Sequence, residues 1–132
     1  MTEAVADTSV FLALEAGLSM RPFEGRLRVS VATVTELEIG VLMAGDPASR
    51  RVRAGTLGEA RALVPLVYDE AVGSELARLV AALRRAGRRL PLFDAVIAAT
   101  AVVKGLPVYT QDRDFIALRD QAGGPDVLPA WT

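Results

Sequence analysis

The segment Leu92–Lys104 constrains the fold more than any other part of this sequence. It is apolar almost all the way round a helix, and Asp94 is the acidic residue in its first turn. A helix without a polar face is stable only where it is covered on most sides, which is typical of a helix packed against a sheet. The segment therefore predicts a buried helix in a domain that also contains β-strands.

The rest of the chain alternates short apolar segments with helical patterns. The predicted strands are 4–6, 28–32, 64–68, 107–110 and 126–128, and the predicted helices are 8–16, 33–44, 47–62, 69–87, 92–104 and 113–121. Such alternation indicates an α/β domain, with a mostly parallel central sheet of four to five strands and helices on both faces. We expect residues 1–132 to form one domain, because no linker, repeat or low-complexity segment divides them.

The residue types that are missing exclude several kinds of chemistry. The sequence contains neither cysteine nor histidine. Disulfides, cysteine nucleophiles, Ser–His–Asp catalysis and almost every zinc hydrolase site are therefore excluded. If the protein is an enzyme, its metal ligands and proton acceptors must be mainly carboxylates, and oxygen ligands favour Mg²⁺ or Mn²⁺.

The charge pattern gives a weaker indication of partners. The net charge is −1, which provides no overall attraction to nucleic acid, but arginines cluster at 50, 51 and 53 and again at 84, 85, 88 and 89. Arginine suits phosphate binding, although a GC-rich genome would also raise the arginine content. No apolar run approaches the roughly 18 residues of a membrane span, and the N-terminus lacks the pattern of a signal peptide. We expect a cytoplasmic protein that does not bind membranes.

Five acidic residues are predicted to lie near one edge of the sheet. Asp7 directly follows the first strand, Glu36 lies in the first turn of the helix after the second, and Asp94 begins the apolar helix. Asp112 and Asp114 follow the fourth strand. Ligands of parallel sheets bind at the carboxyl ends of the strands, and clustered carboxylates repel one another unless a cation lies among them. The pattern predicts a divalent-cation site suited to phosphodiester hydrolysis.

Each of these acids also has a structural explanation when it is taken alone. Asp94 and Asp7 could begin helices, Glu36 could face solvent, and the other two fit a turn followed by a helix cap. Their coincidence at one predicted edge favours the metal site. Asp69 also follows a predicted strand, but its position as a helix cap is a sufficient explanation, and we interpret it as structural.

Four short motifs occur in order between residues 5 and 115. They are Val5-Ala6-Asp7-Thr8-Ser9-Val10, Glu36-Leu37-Glu38-Ile39-Gly40, Asp94-Ala95-Val96-Ile97-Ala98-Ala99-Thr100-Ala101 and Thr110-Gln111-Asp112-Arg113-Asp114-Phe115. Together they resemble the pattern of the PIN-domain family, and specifically that of the VapC-type toxins of type II toxin–antitoxin systems. The resemblance selects Glu36 over Glu38, because leucine and then glycine follow Glu36 at the offsets of the motif.

The resemblance implies a PIN-like three-layer sandwich and a metal-dependent endoribonuclease. It further implies an RNA substrate such as tRNA, a cognate antitoxin and a homodimer. Asp7 and Asp94 are the implied ligands of Mg²⁺ or Mn²⁺, and Glu36 and Asp112 complete the catalytic set. The further candidate metal ligands are Glu36, Asp112 and Asp114. The residues implied to hold these ligands or a phosphate through hydrogen bonds are Thr8, Ser9 and Thr110.

Three other functions fit parts of the sequence. A haloacid-dehalogenase-like phosphatase requires a second aspartate where Ser9 stands, and a receiver-like module requires a lysine after its fifth strand, whereas Lys104 ends a helix. A catalytically inactive PIN-like domain that acts as a protein-interaction module is the third alternative. The intact acidic positions argue against it.

Overall fold

The computed structural model describes residues 2–132. The strands are β1 (Glu3–Ala6), β2 (Arg26–Arg28), β3 (Val108–Thr110) and β4 (Val127–Pro129). The helices are α1 (Thr8–Glu15), α2 (Val31–Leu42), α3 (Pro47–Arg61), α4 (Glu70–Arg85), α5 (Leu92–Lys104) and α6 (Asp114–Ala122). The predicted α/β class is confirmed.

The four strands form one sheet in the order β2-β1-β3-β4, and every neighbouring pair is parallel. The chain first leaves β1 towards β2 and later returns past β1 to β3 and β4. The strand order therefore reverses between β1 and β3, where the Asp7 amide donates to the Tyr109 carbonyl oxygen at 3.1 Å. A reversal of this kind opens a crevice at the carboxyl ends of the two strands, which is the usual ligand site of such sheets.

Helices cover both faces of the sheet, because successive strand residues point to opposite faces. Val5 and Val108 pack into a core with residues of α4, α5 and α6. Ala4, Ala6 and Tyr109 pack into a second core with residues of α1, α2 and α3. The result is the predicted three-layer arrangement of helices, sheet and helices.

Helix α5 has the predicted bounds, and every residue from Ala95 to Ala101 is buried. It ends at Gly105, whose φ of 67° suits glycine and closes the helix. Burial all round fixes the position of the helix, and with it the position of Asp94 in the first turn. Even so, no helix within residues 2–132 is long and apolar enough to cross a membrane.

The predicted strand at 64–68 is wrong. Only Leu66 pairs there, in an isolated bridge with Ser30. Val64 has a φ of 53°, which no strand accommodates, and Pro65 has no N–H to donate to a ladder. The sheet therefore has four strands, and the segment predicted as 126–128 forms the fourth of them.

The predicted boundary between strand 28–32 and helix 33–44 is also wrong. The strand ends at Arg28, and α2 begins at Val31, because the Ser30 side chain caps the helix by accepting from the Ala32 amide at 3.0 Å. A good cap outweighs the β-propensity of valine. As a consequence, Glu36 lies in the second turn of α2 and not in the first.

Candidate active site

Asp7 lies at the carboxyl end of β1 and is only 2% exposed. Its carboxylate makes no capping bond to α1; instead, Oδ1 accepts from Ser9 Oγ at 2.7 Å. Burial raises the pKa of Asp7 to about 6, although hydrogen bonds from Ser9 and Thr110 lower it. Asp7 therefore occupies the N-cap position of α1, but its burial and its contact with Ser9 distinguish it from a solvent-exposed cap.

Two hydroxyl groups join the end of β1 to the loop after β3. Ser9 Oγ lies 3.4 Å from Thr110 Oγ1 and accepts from the Gln111 amide at 3.0 Å. Thr110 is fully buried, and its Oγ1 accepts from the Asp112 amide at 2.8 Å. These bonds hold the loop that carries Asp112 beside Asp7.

Glu36 is tied to α1 across the helix interface. Thr8 Oγ1 donates to Glu36 Oε1 at 2.6 Å and lies 3.0 Å from Thr33 Oγ1. Thr33 is fully buried and was not among the predicted site residues. The available signal was its spacing, since residues three apart on a helix share a face, and Thr33 precedes Glu36 by three.

Asp94 is half-buried in the first turn of α5, where Pro91 occupies the cap position. Its pKa is raised to about 7, first by burial and then by the negative charges of its neighbours. In decreasing order of effect, those neighbours are Glu36, Asp112, Asp7 and Asp114. The acidic residues predicted for the site therefore lie close enough to Asp94 for their charges to act on its pKa, although they come from α2, α5 and the ends of β1 and β3.

Asp112 and Asp114 follow β3, and Asp114 begins α6. Asp112 is half-buried, and its Oδ1 accepts from the Asp114 amide at 2.9 Å, whereas Asp114 is exposed. The turn explanation thus holds for the Asp112 side chain, which is partly committed to its own loop. Both residues still contribute negative charge at Asp94.

The carboxylate oxygens around Asp94 are donors of the type that suits a hard divalent cation. Within residues 2–132, none of the five acids forms an ion pair with a side chain of the protein. In the same part of the chain, no group of three or more acidic side chains is placed to hold a metal ion. An ion held by one or two carboxylates, with water in its other positions, is the usual arrangement for Mg²⁺.

The strand order of the sheet, its reversal between β1 and β3 and the acids near that reversal are the features to compare with known families. Residues 4–121 match the model of the PIN domain. The chain belongs to the PIN-domain family.

Named relatives narrow this assignment to one branch. The chain is 44% identical over 119 residues to ribonuclease VapC4 of Mycobacterium tuberculosis. The matched region covers 89% of this chain and 92% of that protein. It is 49% identical over 100 residues to ribonuclease VapC8 of the same organism, covering 74% and 89% respectively. The crystal structure of VapBC-5, a member of the VapBC family of toxin–antitoxin systems from M. tuberculosis, is 36% identical and superposes over 100% of both chains with a TM-score of 0.81. Within the PIN-domain family, the chain is therefore one of the VapC-type ribonuclease toxins.

Proposed function

We propose that this VapC-type ribonuclease cleaves RNA internally in a reaction that depends on Mg²⁺ or Mn²⁺, with Asp7, Glu36, Asp94 and Asp112 as the catalytic acids. The observation that carries the proposal is the charge around Asp94. Burial and then carboxylates from separate elements raise its pKa to about 7, and no cation of the protein among residues 2–132 compensates these carboxylates. A bound metal ion would remove this repulsion.

Each residue has a distinct role in the proposal. Asp7 and Asp94 hold the ion, and Glu36 and Asp112 complete its surroundings directly or through water, with Asp114 as a further candidate. When bound, the ion supplies positive charge to the phosphoryl group and acidifies the attacking water. One of the carboxylates accepts the proton of that water, since the chain has no histidine for this step. The hydroxyl groups that orient the acids or contact a phosphate are those of Thr8, Ser9 and Thr110.

The experiment is cleavage of total RNA with and without EDTA, followed by mapping of the ends. We expect Asp7→Asn and Asp94→Asn each to reduce metal-dependent cleavage by about 10³-fold, because several kcal/mol of transition-state stabilisation are lost. The matched control is Asp69→Asn, because Asp69 caps α4 by accepting from the Val72 amide at 3.0 Å, and asparagine caps about as well as aspartate. Undiminished cleavage by either folded variant would contradict the assignment of the site. Absence of cleavage by the wild type would favour an inactive interaction module.

We also propose a place for a cognate antitoxin. A groove of about 340 Å³ between α1, α2 and α3 reaches Thr8 and Glu36. Its lining includes the exposed side chains of Leu12, Ile39 and Met43, and also Arg53 and Glu15. Its apolar lining and acidic end suit a partner segment that carries apolar residues and one arginine or lysine. A bound peptide of this kind should lower the apparent affinity for Mg²⁺, because linkage is reciprocal. Equal Mg²⁺ affinity of the free and the bound protein would count against it.

The remaining parts of the proposal come from the family resemblance. The substrate is a structured RNA such as tRNA, the toxin acts in the cytoplasm where that RNA is found, and the active protein is a homodimer. End mapping in the cleavage experiment identifies the RNA, and the mass of the protein in solution checks the dimer.

A further inference from the structure

A basic groove lies between the end of α4 and the first turn of α5. Its volume is about 310 Å³, and its lining includes Arg84, Arg88 and Arg89 beside the apolar side chains of Leu90 and Leu92. It is separate from the acidic pocket, and no part of the proposed metal site uses it.

The arginines in and beside this groove lack ion-pair partners among residues 2–132. Arg84, Arg85, Arg88 and Arg89 are all exposed, and none of them forms an ion pair within residues 2–132. Arg84 and Arg85 occupy the last turn of α4, where a positive charge stabilises the helix dipole. Arg88 and Arg89 lie beyond the helix, so this explanation does not extend to them.

The backbone gives these two residues a fixed starting direction. Gly87, with a φ of 71°, donates its amide to the Arg84 carbonyl oxygen at 3.0 Å, and the Arg88 amide donates to the Leu83 carbonyl oxygen at 2.8 Å. This pair of bonds is a Schellman closure of the helix, and glycine adopts the required φ without strain. The turn depends on the backbone and on Gly87, so the Arg88 and Arg89 side chains can be replaced without removing it.

The groove and the proposed metal site share the first turn of α5. Leu92 and Ala95 line the groove, and Asp94 lies between them in the same turn. Residues two apart on a helix do not share a face, so Asp94 is turned away from Leu92, across a helix about 10 Å wide. The groove and Asp94 therefore lie on different sides of the first turn of α5, about one helix diameter apart, which is a span that an RNA strand of a few nucleotides can cover.

We propose that this groove binds the phosphate backbone of the RNA next to the bond that is cleaved. The inference rests on the proposed ribonuclease site and deepens it. Guanidinium groups bind phosphate through paired hydrogen bonds, and within residues 2–132 no aromatic ring lines the groove to stack on bases. The contact is therefore to the backbone and is independent of sequence. In a protein of net charge −1, this local positive charge also directs RNA to one side of the acids.

The test is the double variant Arg88→Gln/Arg89→Gln, with Arg50→Gln/Arg51→Gln as its control. The control pair is also exposed, forms no ion pair within residues 2–132 and removes the same charge, but it lies on α3. Binding of a single-stranded RNA oligonucleotide is measured by fluorescence anisotropy in EDTA, with Asp94→Asn in every protein. We expect the Arg88→Gln/Arg89→Gln variant, the groove pair, to raise Kd about tenfold. It should also reduce the slope of log K against log salt by about 1.4, since each lost phosphate contact removes about 0.7. The control pair should change Kd less than about twofold.

Kinetics with Asp94 intact separate this inference from the proposed function. We expect the groove pair to raise KM for RNA with little change in kcat, because the lost contact is the same in the ground and transition states. If the wild type cleaves RNA and the two double variants have equal KM, Kd and salt slope, the groove proposal is overturned and the nuclease site is not. If the wild type does not cleave RNA but the Arg88→Gln/Arg89→Gln variant still binds RNA more weakly, the proposed nuclease site is overturned and the groove proposal is not. Weakened binding of a poly-glutamate peptide with unchanged RNA binding would overturn the inference in favour of an acidic protein partner.

Discussion

Ser9 has two functions at the candidate site, because one hydroxyl group contacts both halves of it. It donates to the Asp7 carboxylate at 2.7 Å and accepts from the Gln111 amide at 3.0 Å. The first bond opposes the effect of burial and lowers the pKa of Asp7. A buried aspartate is thereby kept closer to the ionised form, which is the form that binds a cation.

We expect Ser9→Ala to move the acidic limb of the pH–rate profile to higher pH. The pKa of Asp7 is about 6 in the folded protein and ordinarily 3.8, and loss of the donor raises it further. A side-chain hydrogen bond contributes about 1 kcal/mol, which corresponds to a shift of somewhat less than one pH unit. The measurement is the cleavage rate between about pH 5 and 9, with the exposed Ser74→Ala as control. A profile that Ser9→Ala leaves in place would show that the hydroxyl does not adjust Asp7.

The sequence was informative about these residues to different degrees. The positions of Asp7, Glu36 and Asp94 near one edge followed from motifs and from the strand-end rule, because an acid between apolar neighbours is conspicuous. Thr33 was not found, since its hydroxyl contacts Thr8 only when α1 and α2 pack together. A motif specifies residues along the chain, whereas a hydrogen bond of this kind depends on tertiary packing.

For helices and strands, the prediction matched the structure where the residue composition and the backbone conformation of a segment indicated the same element. Helix α5 was predicted to the residue, because its apolar run ends where Gly105 allows a left-handed closure. The segment 64–68 has the composition of a strand but not the backbone, since Val64 has positive φ and Pro65 cannot donate. Composition alone therefore predicted a strand that the backbone excludes.

We expect Val64→Asn to stabilise the protein by about 1 kcal/mol, because a β-branched residue at positive φ costs about 1–2 kcal/mol and asparagine tolerates this conformation better. Val64 is 71% exposed, so little buried apolar area is lost. The matched control is Val67→Asn, at a residue that is 63% exposed without a positive φ. The measurement is the free energy of unfolding in urea. Equal effects of the two substitutions would show that Val64 is not strained.

For the whole molecule, the parallel sheet assembles a site that no single element could provide. The reversal between β1 and β3 brings together residues separated by about a hundred positions, such as Ser9 and Gln111, whose contact spans 102 residues of sequence. Burial, and after it the negative charge of neighbouring acids, raises the pKa values of Asp7 and Asp94, which means that their ionised forms destabilise the metal-free fold. Stability, pH and metal binding are therefore linked.

This linkage has a sign that a thermal melt can measure. The pKa of Asp94 is about 7 in the folded protein and 3.8 as the ordinary value, so the folded state binds the proton more tightly than the unfolded state. Its contribution to stability is present below about pH 4 and is lost as pH rises through about 7. We therefore expect Asp94→Asn to raise the Tm of the metal-free protein near pH 8, where the wild type carries the full repulsion, and to have a smaller effect near pH 5.

Mg²⁺ should make the Tm of the wild type higher than that of Asp94→Asn, because the ion binds the folded wild type at the same carboxylates. At a hundredfold excess over its dissociation constant, a ligand stabilises the folded state by about 2.7 kcal/mol, and Asp94→Asn should retain only a small part of that gain. Asp69→Asn is the control for a true helix cap, with little change in Tm and a full response to Mg²⁺. If the acids were only helix caps, Asp94→Asn would change the Tm of the metal-free protein as little as Asp69→Asn does. Mg²⁺ would then raise the Tm of neither variant and not of the wild type. A Tm that is indifferent to both Mg²⁺ and Asp94→Asn would therefore remove the physical basis of the proposed metal site, whatever nuclease activity the preparation contained.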